Sequence, residues 1–196
     1  MHPPRITMQQ APGTIRHLLL ERNRHPHIIG ISGPVGSGKT TLATQLSGCI
    51  IPTDAYLPDY DKVPPTERDN PEHADLARLV DDIRSLRDTG QASIPVWSFH
   101  SHRREGLRKV VLNHQTIVVE GIHALDERLV PMLDLAILMD ASAQARWARW
   151  EAIESAGERG WGVERARDYF TQVADPAYMA RHATYLSRAT LVVVNE

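Results

Sequence analysis

The stretch His27-Ile28-Ile29-Gly30-Ile31-Ser32, followed directly by Gly33-Pro34-Val35-Gly36-Ser37-Gly38-Lys39-Thr40, decides the fold. Residues 28–32 form a continuous apolar run, the pattern of a strand buried on both faces. The next eight residues match G-x-x-x-x-G-K-[ST] in full. Gly33, Gly36 and Gly38 permit backbone conformations that turn successive N–H groups inward around phosphate oxygens. A helix opening near Lys39 adds its positive dipole end. Lys39 supplies a movable charge for β- and γ-phosphates, and the Thr40 hydroxyl suits Mg²⁺. The expected nucleotide-binding set is therefore Gly33, Pro34, Val35, Gly36, Ser37, Gly38, Lys39, Thr40 and Thr41. A ligand-free glycine turn would have no use for the Lys-Thr pair that closes the motif.

Outward from this loop, short apolar runs alternate with amphipathic stretches. Residues 117–120, 135–140 and 191–195 repeat the type of 28–32, and each run ends on a polar residue. Helices are predicted over 39–46, 72–87 (stopped by Gly90), 143–155 and 163–173. This alternation predicts an α/β chain, a three-layer P-loop NTPase-type parallel sheet flanked by helices. Ligands in such sheets sit at the carboxyl ends of the strands, where these polar residues fall. Residues 1–26 read as an N-terminal helical segment. Pro3, Pro4, Pro12 and Gly13 break its start, and Ile15, Leu18, Leu19 and Arg22 then recur at helical spacing. Residues 27–196 read as a single domain.

Composition excludes several classes. Of 196 residues, 42% are hydrophobic and 23% charged, a globular balance that argues against wholesale disorder. The longest apolar candidate, 129–139, is interrupted by Pro131 and Asp134 and falls well short of the ~18 residues of a membrane span. A net charge of −2 gives no reason to expect nucleic acid as partner. The single cysteine, Cys49, can form no intramolecular disulfide, which favours a reducing, cytoplasmic setting. The expected partner is a small molecule, with a homo-oligomer left open. His100 and His102 form an H-x-H pair, but no further ligands stand at metal spacing.

Three strand-end acids compete for chemistry beyond nucleotide binding: Asp54, Glu120 and Asp140. Phosphoryl transfer to a hydroxyl needs one carboxylate to take the proton and usually another near Mg²⁺. Asp54 follows the short run 49–53, and Glu120 precedes Gly121, which allows close backbone approach. Asp140 precedes Ala141-Ser142 and reads as a helix-start residue. Arg146 and Arg149, three apart, share a helix face and could neutralise charge on a moving phosphoryl group. Trp147, Trp150 and Trp161 read as packing residues.

These residues, taken in order, resemble the uridine kinase and phosphoribulokinase branch of P-loop kinases, from about residue 27 to the end. The resemblance rests on 30–33 (Gly-Ile-Ser-Gly), Asp54-Ala55-Tyr56, the segment 68–75, and Pro95-Val96-Trp97-Ser98-Phe99 with His102 and Arg104. Val119-Glu120-Gly121-Ile122, Glu158-Arg159-Gly160 and Pro176-Ala177-Tyr178 continue it. It implies a P-loop kinase domain over 27–196, with a small helical lid at about 143–162, that uses ATP and Mg²⁺ to phosphorylate a hydroxyl of a small metabolite. It implies Asp54 as general base and Asp69 as reader of vicinal hydroxyls. Trp97, Phe99 and His102 would wall the acceptor, with Tyr56 and Arg104 beside them. Glu120, with Thr40, would serve Mg²⁺, and Arg149 and Arg159 would act from the lid beside Lys39. Ser98 stands where the family usually has aspartate, Trp97 where it has tyrosine, and Trp161 where an arginine follows Arg-Gly. A uridine- or cytidine-type nucleoside is the favoured acceptor. Pantothenate, ribosyl or sugar acceptors are the alternatives, and an NTP-driven assembly factor is a more distant one.

Overall fold

In the computed structural model, which describes residues 3–22, 25–46 and 49–196, the chain runs in strand–helix alternation. Its elements are β1 (Arg5–Thr7), α1 (Ala11–Leu20), β2 (His27–Ser32), α2 (Lys39–Leu46), β3 (Ile50–Pro52), α3 (Leu76–Thr89) and a hairpin of β4 (Gln91–Ser98) and β5 (Arg103–Val111). There follow β6 (Thr116–Glu120), β7 (Leu135–Asp140), α4 (Ala143–Ser155), α5 (Val163–Tyr169), α6 (Asp175–Arg188) and β8 (Leu191–Val194). Six strands form one sheet in the order β1-β8-β7-β2-β6-β3, and every pairing in it is parallel.

All six residues of β2 are buried, because both faces of the sheet are covered. On one face Ile29, Ile31, Val118 and Met139 pack with Ile15 and Leu19 of α1 and Leu42 of α2. On the other, Ile28, Ile117 and Val119 meet Leu76, Leu79 and Ile83 of α3, while Leu138 and Val192 meet Tyr178 and Tyr185 of α6. The three layers expected from the strand pattern are present.

Several boundaries move for local reasons. The helix predicted from residue 72 starts at Leu76, because Asp75 caps it by accepting from the Arg78 N–H at 3.2 Å. The helix predicted over 163–173 stops at Tyr169. A π-helical turn, Phe170–Ala174, leads into α6, whose first turn holds Pro176. Segment 1–26, of which residues 1, 2, 23 and 24 lie outside the described residues, carries the expected helix as α1 and also supplies the edge strand β1. Asp140 is no helix cap. Ser142 takes that role, and Asp140 binds Arg5 at 2.5 Å. No helix of the described residues is long and apolar enough to cross a membrane.

Candidate active site

The glycine-rich loop joins the end of β2 to the start of α2, so its N–H groups and the α2 dipole face the carboxyl edge of the sheet. The loop is held from behind. A side chain at Gly36, where φ is +76°, would run into the Arg146 carbonyl of α4. The Arg149 guanidinium donates to the Gly36 carbonyl at 3.1 Å and to the Asn195 carbonyl at 3.0 Å. Asn195 Nδ2 in turn donates to the Ser37 carbonyl at 3.0 Å.

A cavity of about 630 Å³ opens over the loop, lined by Val35, Gly36, Gly38, Lys39, Thr40 and Thr41. Gly33, Pro34 and Ser37 of the same loop are buried and do not line this cavity. Lys39 Nζ donates to the Pro34 carbonyl at 2.9 Å. Burial pushes the Lys39 pKa down, while Glu120 and Asp54 push it back up. Thr40 Oγ1 donates to Glu120 Oε1 at 3.3 Å. Burial raises the Glu120 pKa, with the Asp54 charge adding to it. A hydroxyl and a carboxylate side by side are hard oxygen donors of the kind Mg²⁺ takes alongside water and phosphate oxygens, so the residues fit that ion.

A second cavity, of about 90 Å³, adjoins the first. Asp69, Trp97, Phe99, His102, Trp161 and Tyr169 are among the residues lining it. The Tyr60 ring stacks on His102 at 5.0 Å and tilts against Trp97 at 5.4 Å. The Trp161 indole N–H donates to His102 Nε2, joining the segment after α4 to the β4–β5 turn. Arg159 lies 4.5 Å over the Phe99 ring. Asp69 is pushed up to about 7, first by burial and then by the charge of Asp54.

Asp54 lines both cavities, as does Arg159. The 3₁₀ turn Thr53–Tyr56 that follows β3 aims Asp54 at the cavities. Gly121, at φ +139°, lets the Glu120–Gly121 backbone pass so close to Thr53 that a side chain there would collide with the Thr53 hydroxyl. Burial raises the Asp54 pKa, and Lys39 and Arg159 oppose that rise.

Most expected residues therefore converge: Lys39, Thr40, Glu120 and Asp54 on the first cavity, and Asp54, Asp69, Trp97, Phe99 and His102 on the second. Two do not. The same turn that exposes Asp54 drives Tyr56 into the core, where its hydroxyl donates to Asp82 at 2.9 Å. Arg104 sits on β5, outside both cavities, with its guanidinium 3.6 Å from Asp75. The arginine pair of α4 also departs from expectation. Arg146 is buried and binds Asp175 of α6 at 2.7 Å, and Arg149 reaches the loop backbone. The segment read as a lid at 143–162 is thus anchored through its first two turns. Trp161 belongs to the cavity wall, as do Tyr60, His123, Tyr169, Tyr178 and Arg181, which sequence reasoning did not place there.

A G-x-x-x-x-G-K-T loop seated at the carboxyl edge of a parallel sheet defines a P-loop nucleotide-binding protein. The pattern of the phosphoribulokinase / uridine kinase family matches residues 61–195, and the chain belongs to that family. It is 32% identical over 169 residues to a uridine kinase of Clostridium botulinum (strain 657 / Type Ba4), covering 80% of this chain and 82% of that one. Its fold resembles a protein described as a possible uridine kinase from Bacillus stearothermophilus, with a TM-score of 0.62, 19% identity and coverage of 95% and 98%. It also resembles the phosphoribulokinase of Rhodobacter spheroides, with a TM-score of 0.53, 15% identity and coverage of 83% and 67%.

Proposed function

We propose that the protein transfers the γ-phosphoryl group of ATP to a hydroxyl of a small acceptor, a uridine- or cytidine-type nucleoside. The observation that carries this reading is the position of Asp54 on the wall shared by the phosphate-loop cavity and the aromatic cavity. A carboxylate there can accept the proton of an acceptor hydroxyl as that oxygen attacks along the line of the departing β-phosphate oxygen. Lys39 and the loop N–H groups hold the phosphates, and Arg159 brings a second cation to the shared wall. Mg²⁺ held by Thr40 and Glu120 would neutralise charge on the phosphate oxygens. The raised Asp54 pKa moves the base toward working pH, where proton transfer is most effective. Uridine kinase activity in the Clostridium relative and the flat rings of Trp97, Phe99 and His102 favour a nucleoside over an aliphatic acceptor.

Acceptor-stimulated ADP release with MgATP tests this, using uridine, cytidine, other nucleosides, pantothenate and several sugars. Stimulation by uridine or cytidine is expected. Stimulation by another acceptor alone would keep the transfer chemistry and overturn the nucleoside assignment.

A further inference from the structure

In the part of the aromatic cavity's wall that the phosphate-loop cavity does not share stands a polar group that the transfer chemistry does not use. His123 follows β6 and is 1% exposed. Its Nδ1 pairs with the Tyr185 hydroxyl of α6 at 3.3 Å, and its Nε2 is buried with no hydrogen-bond partner. That pair is the only hydrogen bond of the Tyr185 hydroxyl among the described residues. A buried phenol has one proton to donate, and Nδ1 is the one acceptor placed within its reach among the described residues, so we assign the phenol as donor and Nδ1 as acceptor. The imidazole is neutral, because burial first and then the nearby arginines hold its pKa down at about 3. A neutral ring that accepts at Nδ1 carries its proton on Nε2. Nε2 is therefore a desolvated donor without an acceptor, a state that costs roughly 1–3 kcal/mol.

Arg181, one turn before Tyr185 on α6, lines the same cavity. It donates to the Ala177 carbonyl at 3.2 Å and to Asn70 Oδ1 at 3.0 Å, both uncharged, and it makes no ion pair among the described residues. Asn70 is the neighbour of Asp69, so Arg181 ties α6 to the segment that carries the expected reader of hydroxyls. A guanidinium has five N–H groups, and these two bonds leave donors over. This part of the cavity wall thus offers donors from two residues on separate elements.

We propose that His123 and Arg181 form a specificity subsite that takes a hydrogen-bond-accepting oxygen of the acceptor molecule, a carbonyl or a carboxylate, other than the hydroxyl that is phosphorylated. This rests on the reading of the aromatic cavity as the acceptor site. Buried donors left unpaired penalise a ligand lacking the matching oxygen, and such sites discriminate by large factors.

The test uses acceptor pairs that differ in one oxygen function: uridine and cytidine, pantothenate and pantothenol, glycerate and glycerol. Each is followed by ADP release and by quenching of the tryptophans that line the cavity, in the wild type and in Arg181→Met, His123→Leu and Tyr185→Phe. Retained MgATP binding shows that each variant is folded. The wild type is expected to prefer the carbonyl or carboxylate member of one pair by ~10²-fold or more in kcat/KM. Arg181→Met should lose most of that preference, and Tyr185→Phe should lose part, since the imidazole proton is then free to move to Nδ1. The pair in which preference appears tells carbonyl from carboxylate. A preference unchanged in all three variants overturns the subsite and leaves the kinase reading intact. If no acceptor stimulates ADP release, the kinase reading falls, and quenching alone decides the subsite. Binding of a carbonyl or carboxylate compound that Arg181→Met abolishes upholds it; no binding, or binding indifferent to the variants, overturns it.

Discussion

Asp54 and Asp69 are two carboxylates in one cavity whose surroundings press on them differently. Asp54 faces Lys39 and Arg159, which favour its charged form against the pull of burial. Replacing it with asparagine keeps the shape and removes the proposed base. The expected outcome is MgATP affinity near wild type with kcat lowered by ~10²-fold or more, the usual worth of a positioned base. A loss of ATP affinity with kcat intact would make Asp54 a nucleotide contact instead. Asp69 is neutral below about pH 7, because burial and Asp54 both oppose its charge. On the proposed reading Asp69 accepts from acceptor hydroxyls, and a carboxylate does that best ionised. The KM for the acceptor should therefore fall as pH rises from 6 to 8, and Asp69→Asn should remove that dependence. A wild-type KM indifferent to pH over this interval would take Asp69 out of the acceptor contact.

At the scale of elements, the phosphate loop is braced by α4 and by the end of β8. Arg149 bonds to the carbonyls of Gly36 and Asn195, and Asn195 bonds back to Ser37. Each charge-assisted bond of this kind is worth about 1.5–3 kcal/mol. Arg149→Ala should weaken MgATP binding by ~10-fold or more, and Arg149→Lys should rescue little, because one ammonium cannot replace the fork. A kcat loss with unchanged MgATP affinity would instead place Arg149 at the moving phosphoryl group. The loop itself was legible from sequence, as were α2 and α4 to the residue, because glycine spacing, the Lys-Thr pair and the Ser142 cap are local signals. The brace was not, since Arg149 meets partners 113 and 46 residues away. The β4–β5 hairpin was hidden for another reason. Only Val110 of β5 is buried, so that strand shows no apolar alternation to read. Part of the aromatic cavity's wall depends on α6, which lies beyond a π-turn that no spacing rule anticipates.

For the whole molecule, two buried titratable groups of the aromatic cavity make opposing contributions to stability. His123 has a folded pKa of about 3, below its ordinary value of 6.5. Between those values the unfolded chain binds more protons than the folded one, so this group makes stability rise with pH. Asp69 has a folded pKa of about 7, above its ordinary 3.8. Between those values the folded chain holds more protons, so this group makes stability fall as pH rises. From pH 4.5 to 6.5 each contributes up to about 2 kcal/mol, at roughly 1.4 kcal/mol per pH unit, and with opposite sign. The wild type conceals both, and single variants separate them. In urea unfolding at the two pH values, Asp69→Asn should gain stability relative to wild type on going from 4.5 to 6.5. His123→Leu should lose it over the same interval, by a similar amount. The comparison between pH values cancels whatever each substitution does to packing, which is the same at both. Parallel profiles for wild type and His123→Leu would mean that the imidazole titrates normally and is not the buried neutral donor on which the oxygen subsite depends.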